Sequence, residues 1–189
     1  MEKERQWPNQ AGRCLPRLRR ELLSKLGKKG EAFQSAWEDF VEQPSEYGYE
    51  EFMKYVPEQE KTQWHEKAVL EAKNGELYDL VGICTITKEW GVLAEVILQV
   101  DHQDLEEVSF YSIEKALKKL EKDHWAVAAK VHRALGMRIL KSKKSKNYGY
   151  ALDHFEEDKQ LYQKSNCENE WLSCVEQVRR NHSRKYRFI

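Results

Sequence analysis

The most informative absence in this sequence is that of proline from its larger part. All four prolines lie within the first 57 residues, and the 132 residues after Pro57 contain none. Proline interrupts helices and is common in loops, so a long proline-free stretch is typical of a mostly helical body. Convincing strand patterns are also missing, because the few β-branched clusters are short and lie inside helical patterns.

Further absences exclude several classes of protein. The four cysteines are scattered, without a CxxC pair or a His at ligand spacing, so the sequence predicts neither a disulfide framework nor a zinc site. No apolar run is long enough to cross a bilayer, and the first 30 residues hold no signal-peptide core. From this we expect a cytoplasmic protein that does not bind membranes. Nucleotide-binding glycine loops, HExxH and a nucleophile elbow are missing too. We therefore expect a non-catalytic protein without cofactors or bound metal, and an enzymatic function is the alternative.

Charge has no excess of either sign over the whole chain, but it is arranged in blocks. The net charge is zero, from 32 basic and 32 acidic residues. Residues 1–30 carry nine bases and three acids, residues 31–60 one base and nine acids, and residues 138–189 twelve bases and seven acids. No global field therefore attracts nucleic acid, and the blocks either pair with one another or attract different partners.

What the sequence does contain is a series of amphipathic helical segments. The clearest pair surrounds residues 141–147: we expect a helix capped by Asp123, a tight basic connection, and a second helix that starts at Tyr148. A short connection makes neighbouring helices antiparallel, so this segment is predicted to form an αα-hairpin. On its apolar stripes we expect Trp125 and Phe155 to fill the core.

Upstream and downstream segments show the same periodicity. We expect a first helix that starts at Pro16 and buries a leucine stripe; the stripe consists of Leu18, Leu22, Leu23 and Leu26. The fold class predicted from all segments is all-α: stacked antiparallel helical hairpins, arranged as an irregular, solenoid-like (TPR-like) stack or as a compact bundle. The predicted organisation is a loose N-terminal segment, 1–12, followed by a single helical domain, 13–189.

A family resemblance extends over most of residues 13–189. The runs Ala134-Leu135, Ile139-Leu140, Ser145 to Tyr148 and Val178-Arg179, together with Ala36-Trp37 upstream, resemble the helical C-terminal region of bacterial SWIM-type zinc-finger proteins and their uncharacterised relatives. The zinc-finger pattern itself, CxC followed by CxH, is absent. The resemblance therefore implies an all-α module of bacterial origin, and it carries over no metal-dependent binding.

The candidate binding residues are basic. No acid occurs between residues 138 and 152, and the predicted second helix opens at Asn147, where unpaired N–H groups favour an anion. The residues that we predict to bind nucleic acid or phosphate are Arg138, Lys141, Lys143, Lys144, Lys146, Arg179, Arg180, Arg184 and Lys185. The alternative is a solvated end of the preceding helix, where basic residues are favoured in any case.

Two histidines have competing interpretations. His154, with Asp153, Glu157 and Asp158, has the spacing of half a metal site, but a solvated acidic face explains the same residues better. His132 lies on an apolar stripe, where we expect a hydrogen-bonded core residue.

The predicted function is a helical binding or scaffold module with an unidentified protein partner, and stacked helical pairs suit this role. The alternative is nucleic-acid or phosphate binding through residues 138–146 and the basic C-terminus. A third possibility is metal-dependent hydrolysis.

Overall fold

The computed structural model describes residues 10–108 and 110–182, and within these ranges every regular element is a helix. The all-α class predicted from the sequence is confirmed. The helices are α1 (Gln10–Lys25), α2 (Lys29–Glu42), α3 (Glu46–Met53), α4 (Lys61–Lys73), α5 (Leu77–Thr87), α6 (Trp90–Gln99), α7 (His102–Glu107), α8 (Phe110–Asp123), α9 (Trp125–Lys141), α10 (Tyr148–Lys164) and α11 (Glu168–His182). Single 3-10 turns at Glu58–Glu60 and Ser145–Asn147 precede α4 and α10.

The chain forms two compact units, Met1–Ile83 and Cys84–Ile189. This boundary falls within α5. The single domain over 13–189 stays a prediction. Of the predicted loose segment 1–12, residues 1–9 lie outside the described residues, and residues 10–12 belong to α1.

The core of the first unit is aromatic. Phe33 and Trp37 of α2 meet Phe52 of α3 and Trp64 of α4, with ring centroids between 4.8 and 5.9 Å apart. Tilted and edge-to-face contacts of this kind add about 0.5–1.5 kcal/mol per pair to the burial of apolar area. These contacts fix α2, α3 and α4 against one another.

The second unit is built around α9. This helix packs against α6, α7, α8, α10 and α11, and it is buried on almost every side from Val127 to Leu140. The α9–α10 hairpin is confirmed, and Gly136 lets the two helices approach closely. A Cβ atom at Gly136 would lie 2.9 Å from the ring of Phe155. Phe155 itself is buried, as predicted.

Several sequence predictions about helix ends and faces are wrong. Helix α1 begins at Gln10, and Pro16 lies inside it rather than at its start. Asp123 ends α8, and His124 precedes α9 as its N-cap. Trp125 is 44% exposed because it is the first residue of α9, at the edge of the packed region.

Candidate functional site

The most unusual surface of the first unit is a row of exposed leucines on α1, which we call the leucine face. The exposed fractions of Leu15, Leu18, Leu22 and Leu26 are 65%, 53%, 52% and 73%. At 100° per residue these four positions fall within an arc of about 80°. Leu26 follows the last residue of α1, but its N–H still donates to the carbonyl oxygen of Leu22 at 2.9 Å. The prediction that this stripe is buried is therefore wrong for Leu18, Leu22 and Leu26.

The inward side of α1 carries a charge instead. Arg20, about 160° around the helix from the middle of the leucine face, is 5% exposed and forms an ion pair with Asp39 of α2. A buried guanidinium needs such a partner, because an unpaired charge in the interior costs several kcal/mol. Asp39 thus allows α1 to turn Arg20 inward and its leucines outward.

Both edges of the leucine face are basic. Arg19 and Lys25 fall about 20° outside the arc of the leucines, one on each side. Both side chains are exposed, and neither has an ion-pair partner among the described residues. Arg17 differs, since its Nε lies 3.0 Å from Glu21 Oε1. The leucine face is therefore an apolar stripe between two uncompensated positive charges.

In the second unit, two bases of the predicted anion site bind α7. The guanidinium of Arg138 donates to the backbone carbonyl oxygens of Glu106, at 3.1 Å, and Glu107. Lys141 Nζ lies 2.5 Å from a carboxylate oxygen of Glu106, and Glu106 is 3% exposed. These two bases hold α7 against the end of α9, a role that their sequence spacing gave no means to detect.

The remaining lysines of the connection are exposed. Lys143, Lys144 and Lys146 have no ion-pair partner among the described residues, and no side chain caps the start of α10. Arg179 and Arg180 are also exposed, near the end of α11. Because Leu152 of α10 and Arg179 line one cavity, α11 brings its C-terminal part towards the start of α10. Arg184 and Lys185 lie outside the described residues.

The prediction of a solvated acidic face on α10 is wrong for Asp158. Asp158 is fully buried, and neither carboxylate oxygen has a hydrogen-bond partner among the described residues. The helical spacing of Asp158 could have predicted its burial. Ala151, Phe155, Asp158 and Tyr162 are spaced to share one helix face, and all four are buried. Burial raises the pKa of Asp158 to about 7, while Arg133 and Cys174 lower it to a smaller extent.

The residues around Asp158 form a buried polar centre. Arg133 of α9 is 5% exposed, donates to Gln177 Oε1 at 2.9 Å, and lies 3.6 Å from a carboxylate oxygen of Glu170. Burial, and then Asp158, raise the pKa of Cys174 to about 12, so its thiol is protonated and unreactive at neutral pH. Asp158, Arg133 and Cys174 are buried, Glu170 lies at the exposed edge of the centre, and together these residues link α9, α10 and α11.

A second polar chain crosses the α9–α10 hairpin. His132 Nε2 lies 3.0 Å from Glu121 Oε1 of α8, and His132 Nδ1 lies 3.0 Å from His154 Nδ1. The prediction of a buried, hydrogen-bonded His132 is confirmed. Burial, and then His132, lower the pKa of His154 to about 4, so that His154 is neutral at physiological pH. Neutral His154 is thus half-buried in the hairpin, beside His132.

Three further properties bear on function: grouped metal ligands, membrane-spanning helices and similarity to known proteins. Within residues 10–108 and 110–182, no three His, Cys, Asp or Glu side chains are grouped as metal ligands. None of the described helices has the length and apolar character needed to span a bilayer. Comparison with family models, curated proteins and solved structures gives no match to this chain.

Proposed function

We propose that this protein is a non-catalytic helical binding module that docks a protein partner on the leucine face of α1. The observation that carries the proposal is the exposure of four leucines on one side of a single helix. An amphipathic helix normally turns such a stripe inward, and contiguous exposed apolar surface typically marks an interaction site. The basic edges favour a partner helix whose own apolar stripe is flanked by acidic residues.

The expected affinity is modest. Burial of a leucine side chain contributes about 1.5–3 kcal/mol, and roughly half of each side chain is available for burial. Docking four leucines therefore offers about 3–6 kcal/mol before the cost of association, and the two charge contacts add to it. Because a dissociation constant of 1 mM corresponds to about 4 kcal/mol, we expect a dissociation constant of about 0.1 mM or weaker for a single helix.

A pair of designed peptides tests this function. One is a labelled helical peptide with leucines at heptad spacing and glutamates on both edges, and its matched control carries lysines at the glutamate positions. Fluorescence anisotropy should show that the acidic peptide binds and that added salt weakens binding. The control peptide should not bind.

Variants of the chain locate the contact. Leu18→Gln with Leu22→Gln should abolish peptide binding and lower the free energy of unfolding by no more than about 1–2 kcal/mol, because about half of each side chain is already exposed. The matched control, Leu70→Gln, alters an exposed leucine of α4 and should bind as the parent does. Equal binding of both peptides, or none, contradicts the proposal. Concentration-dependent dimers that Leu18→Gln dissolves would assign the face to a second copy of the chain.

Nucleic-acid or phosphate binding through residues 138–146 is the second candidate, and the exposure of Lys143, Lys144 and Lys146 favours it. Three phosphate contacts correspond to a slope of about −3 in a plot of log affinity against log salt. Labelled RNA and DNA, titrated at two salt concentrations, measure this slope. Replacing the three lysines by Gln should abolish binding, whereas Gln at Lys115, Lys119 and Lys122 of α8, an equal change of charge, should not. No binding at low salt removes this candidate.

Origin and location remain proposals as well. The resemblance to the helical region of SWIM-type proteins stays a prediction, and so do the bacterial source and the cytoplasmic location. Purification of tagged protein from its native host, followed by analysis of bound protein and nucleic acid, bears on both candidate functions.

A further inference from the structure

The first unit contains a second feature, separate from the leucine face. A half-open cavity of about 530 Å³ lies between the end of α1, the start of α2 and the segment that follows α3. Pockets for small organic ligands typically measure about 300–1,000 Å³. Its lining consists of Ser24, Lys29, Gly30, Phe33, Lys54, Tyr55, Val56, Pro57 and Glu60.

Three charged side chains line one part of the cavity. Lys29 and Lys54 supply two ammonium groups, and Glu60 supplies a single carboxylate. Glu60 Oε2 already accepts a hydrogen bond from Trp64 Nε1 at 3.0 Å, and Lys54 Nζ lies 2.7 Å from a carboxylate oxygen of Glu51. The exposed ammonium of Lys29 has no ion-pair partner among the described residues.

The backbone adds to this charge. Lys29 and Gly30 are the first two residues of α2, and no side chain caps that helix end. Its first N–H groups lack partners within the helix and carry the positive end of the helix dipole.

The other part of the lining is apolar and flat. It consists of Phe33, Val56, Pro57 and the ring of Tyr55. Phe33 is fixed by an edge-to-face contact with Trp64, at 4.8 Å between ring centroids. A planar ring of a ligand therefore meets a rigid wall, on which stacking is favourable.

We propose that this cavity binds a small phosphate monoester that carries a flat ring, with the phosphate at Lys29 and the start of α2 and the ring against Phe33 and Tyr55. A dianionic phosphate suits the unpaired ammonium group of Lys29 and a helix N-terminus better than a single carboxylate does. The remaining wall accepts the ring without requiring a specific hydrogen-bond pattern. This site is independent of the leucine face and of the proposed protein partner.

Isothermal titration with the full chain tests the proposal, and the probes are adenosine 5′-monophosphate and phenyl phosphate. The controls are adenosine, which has the flat ring without the phosphate, and inorganic phosphate, which lacks the ring. We expect both phosphate monoesters to bind at least tenfold more tightly than either control. Binding of adenosine as tight as that of the monophosphate, or no binding of either monoester at millimolar concentration, overturns the proposal.

Substitutions of residues that line the cavity test whether the ligand binds there. Lys29→Glu should weaken phosphate monoester binding at least tenfold. Lys28→Glu is its matched control, because Lys28 pairs with Glu31 on the surface and does not line the cavity; it should change affinity by less than about threefold. Gly30→Phe should also abolish binding, since a Cβ atom there meets open space and the ring has room to occupy the cavity. Equal binding by the parent, Lys29→Glu and Gly30→Phe overturns the assignment to this cavity.

Discussion

Single residues of this protein show how far the cost of a substitution depends on position along a helix. Trp125 and Phe155 both belong to predicted apolar stripes, yet Trp125 is 44% exposed and Phe155 is 6% exposed. Trp125 opens α9, whereas Phe155 faces Gly136 in the middle of the hairpin. The two aromatic side chains therefore contribute differently to stability.

Phe155→Ala should lower the free energy of unfolding by about 3–5 kcal/mol, because it leaves a cavity in the core. Trp125→Ala should cost only about 1–2 kcal/mol, since much of its ring is already in water. Urea unfolding of both variants measures the difference, with Lys143→Ala, expected below about 0.5 kcal/mol, as control. A larger loss for Trp125→Ala than for Phe155→Ala would contradict the observed packing.

Asp158 is a residue whose ionisation opposes folding. Burial raises its folded-state pKa to about 7, well above the value of an exposed aspartate, so the folded chain holds a proton that the unfolded chain releases. The stability linked to this proton is complete below about pH 4 and is lost as the pH rises through 7.

Asp158→Asn removes that titration while nearly preserving the shape of the side chain. Between pH 5 and pH 8 the parent should lose about 2–3 kcal/mol of unfolding free energy relative to Asp158→Asn. Urea unfolding of the parent and of Asp158→Asn at pH 5 and pH 8 measures these free energies of unfolding. Asp153→Asn, an exposed aspartate of the same helix, serves as control. Parallel pH profiles for the parent and Asp158→Asn would show that Asp158 is ionised at no cost in the fold.

At the scale of elements, the α9–α10 hairpin contains a contact between the Nδ1 atoms of His132 and His154. One proton between the two Nδ1 atoms of His132 and His154 makes a hydrogen bond, whereas protonation of both rings turns both atoms into donors and breaks it. The charged groups that face this pair are Glu121 of α8 and Asp153 of α10. The pKa of His154 is lowered to about 4. Neutral His154 therefore contributes to the stability of the fold above about pH 6.5, and this contribution is lost as the pH falls towards 4.

Acid should therefore destabilise the hairpin through His154. From pH 7 to pH 4.5 the parent should lose about 1–2 kcal/mol more than His154→Gln, which cannot titrate. His102, whose pKa is likewise lowered to about 4, titrates in the same range, so the comparison with His154→Gln separates the two. Urea unfolding supplies both values, and hydrogen exchange of residues 132–154 locates the change. An equal loss in parent and variant would exclude His154 as the cause.

At the scale of the whole molecule, two compact units share one chain and one class of structure. The first unit carries the leucine face and the proposed phosphate cavity, and the second carries the basic connection and the buried polar centre. We expect far-UV circular dichroism of the intact chain to be dominated by helix, because helices make up 85% of the residues that the structure describes. A spectrum dominated by strand would contradict the fold and remove both proposed sites with it.

The sequence by itself determined the helical class, the α9–α10 hairpin and the burial of His132 and Phe155. Helical periodicity determines which residues share one side of a helix, and a short connection determines that the next helix runs back along it. These properties are local, so they can be read without knowledge of the remaining chain.

Only the tertiary structure decided which side of a helix faces inward. Asp39 of α2 pairs with Arg20, so α1 buries a cation and exposes its leucines. Asp158 of α10 lies in a polar centre with Arg133 of α9 and Cys174 of α11, so α10 buries an acid. The neighbouring side chains in both cases come from another helix, and periodicity within one helix contains no information about them. The cavity next to Lys29 depends on the packing of three separate segments, and for the same reason no pattern in the sequence predicts it.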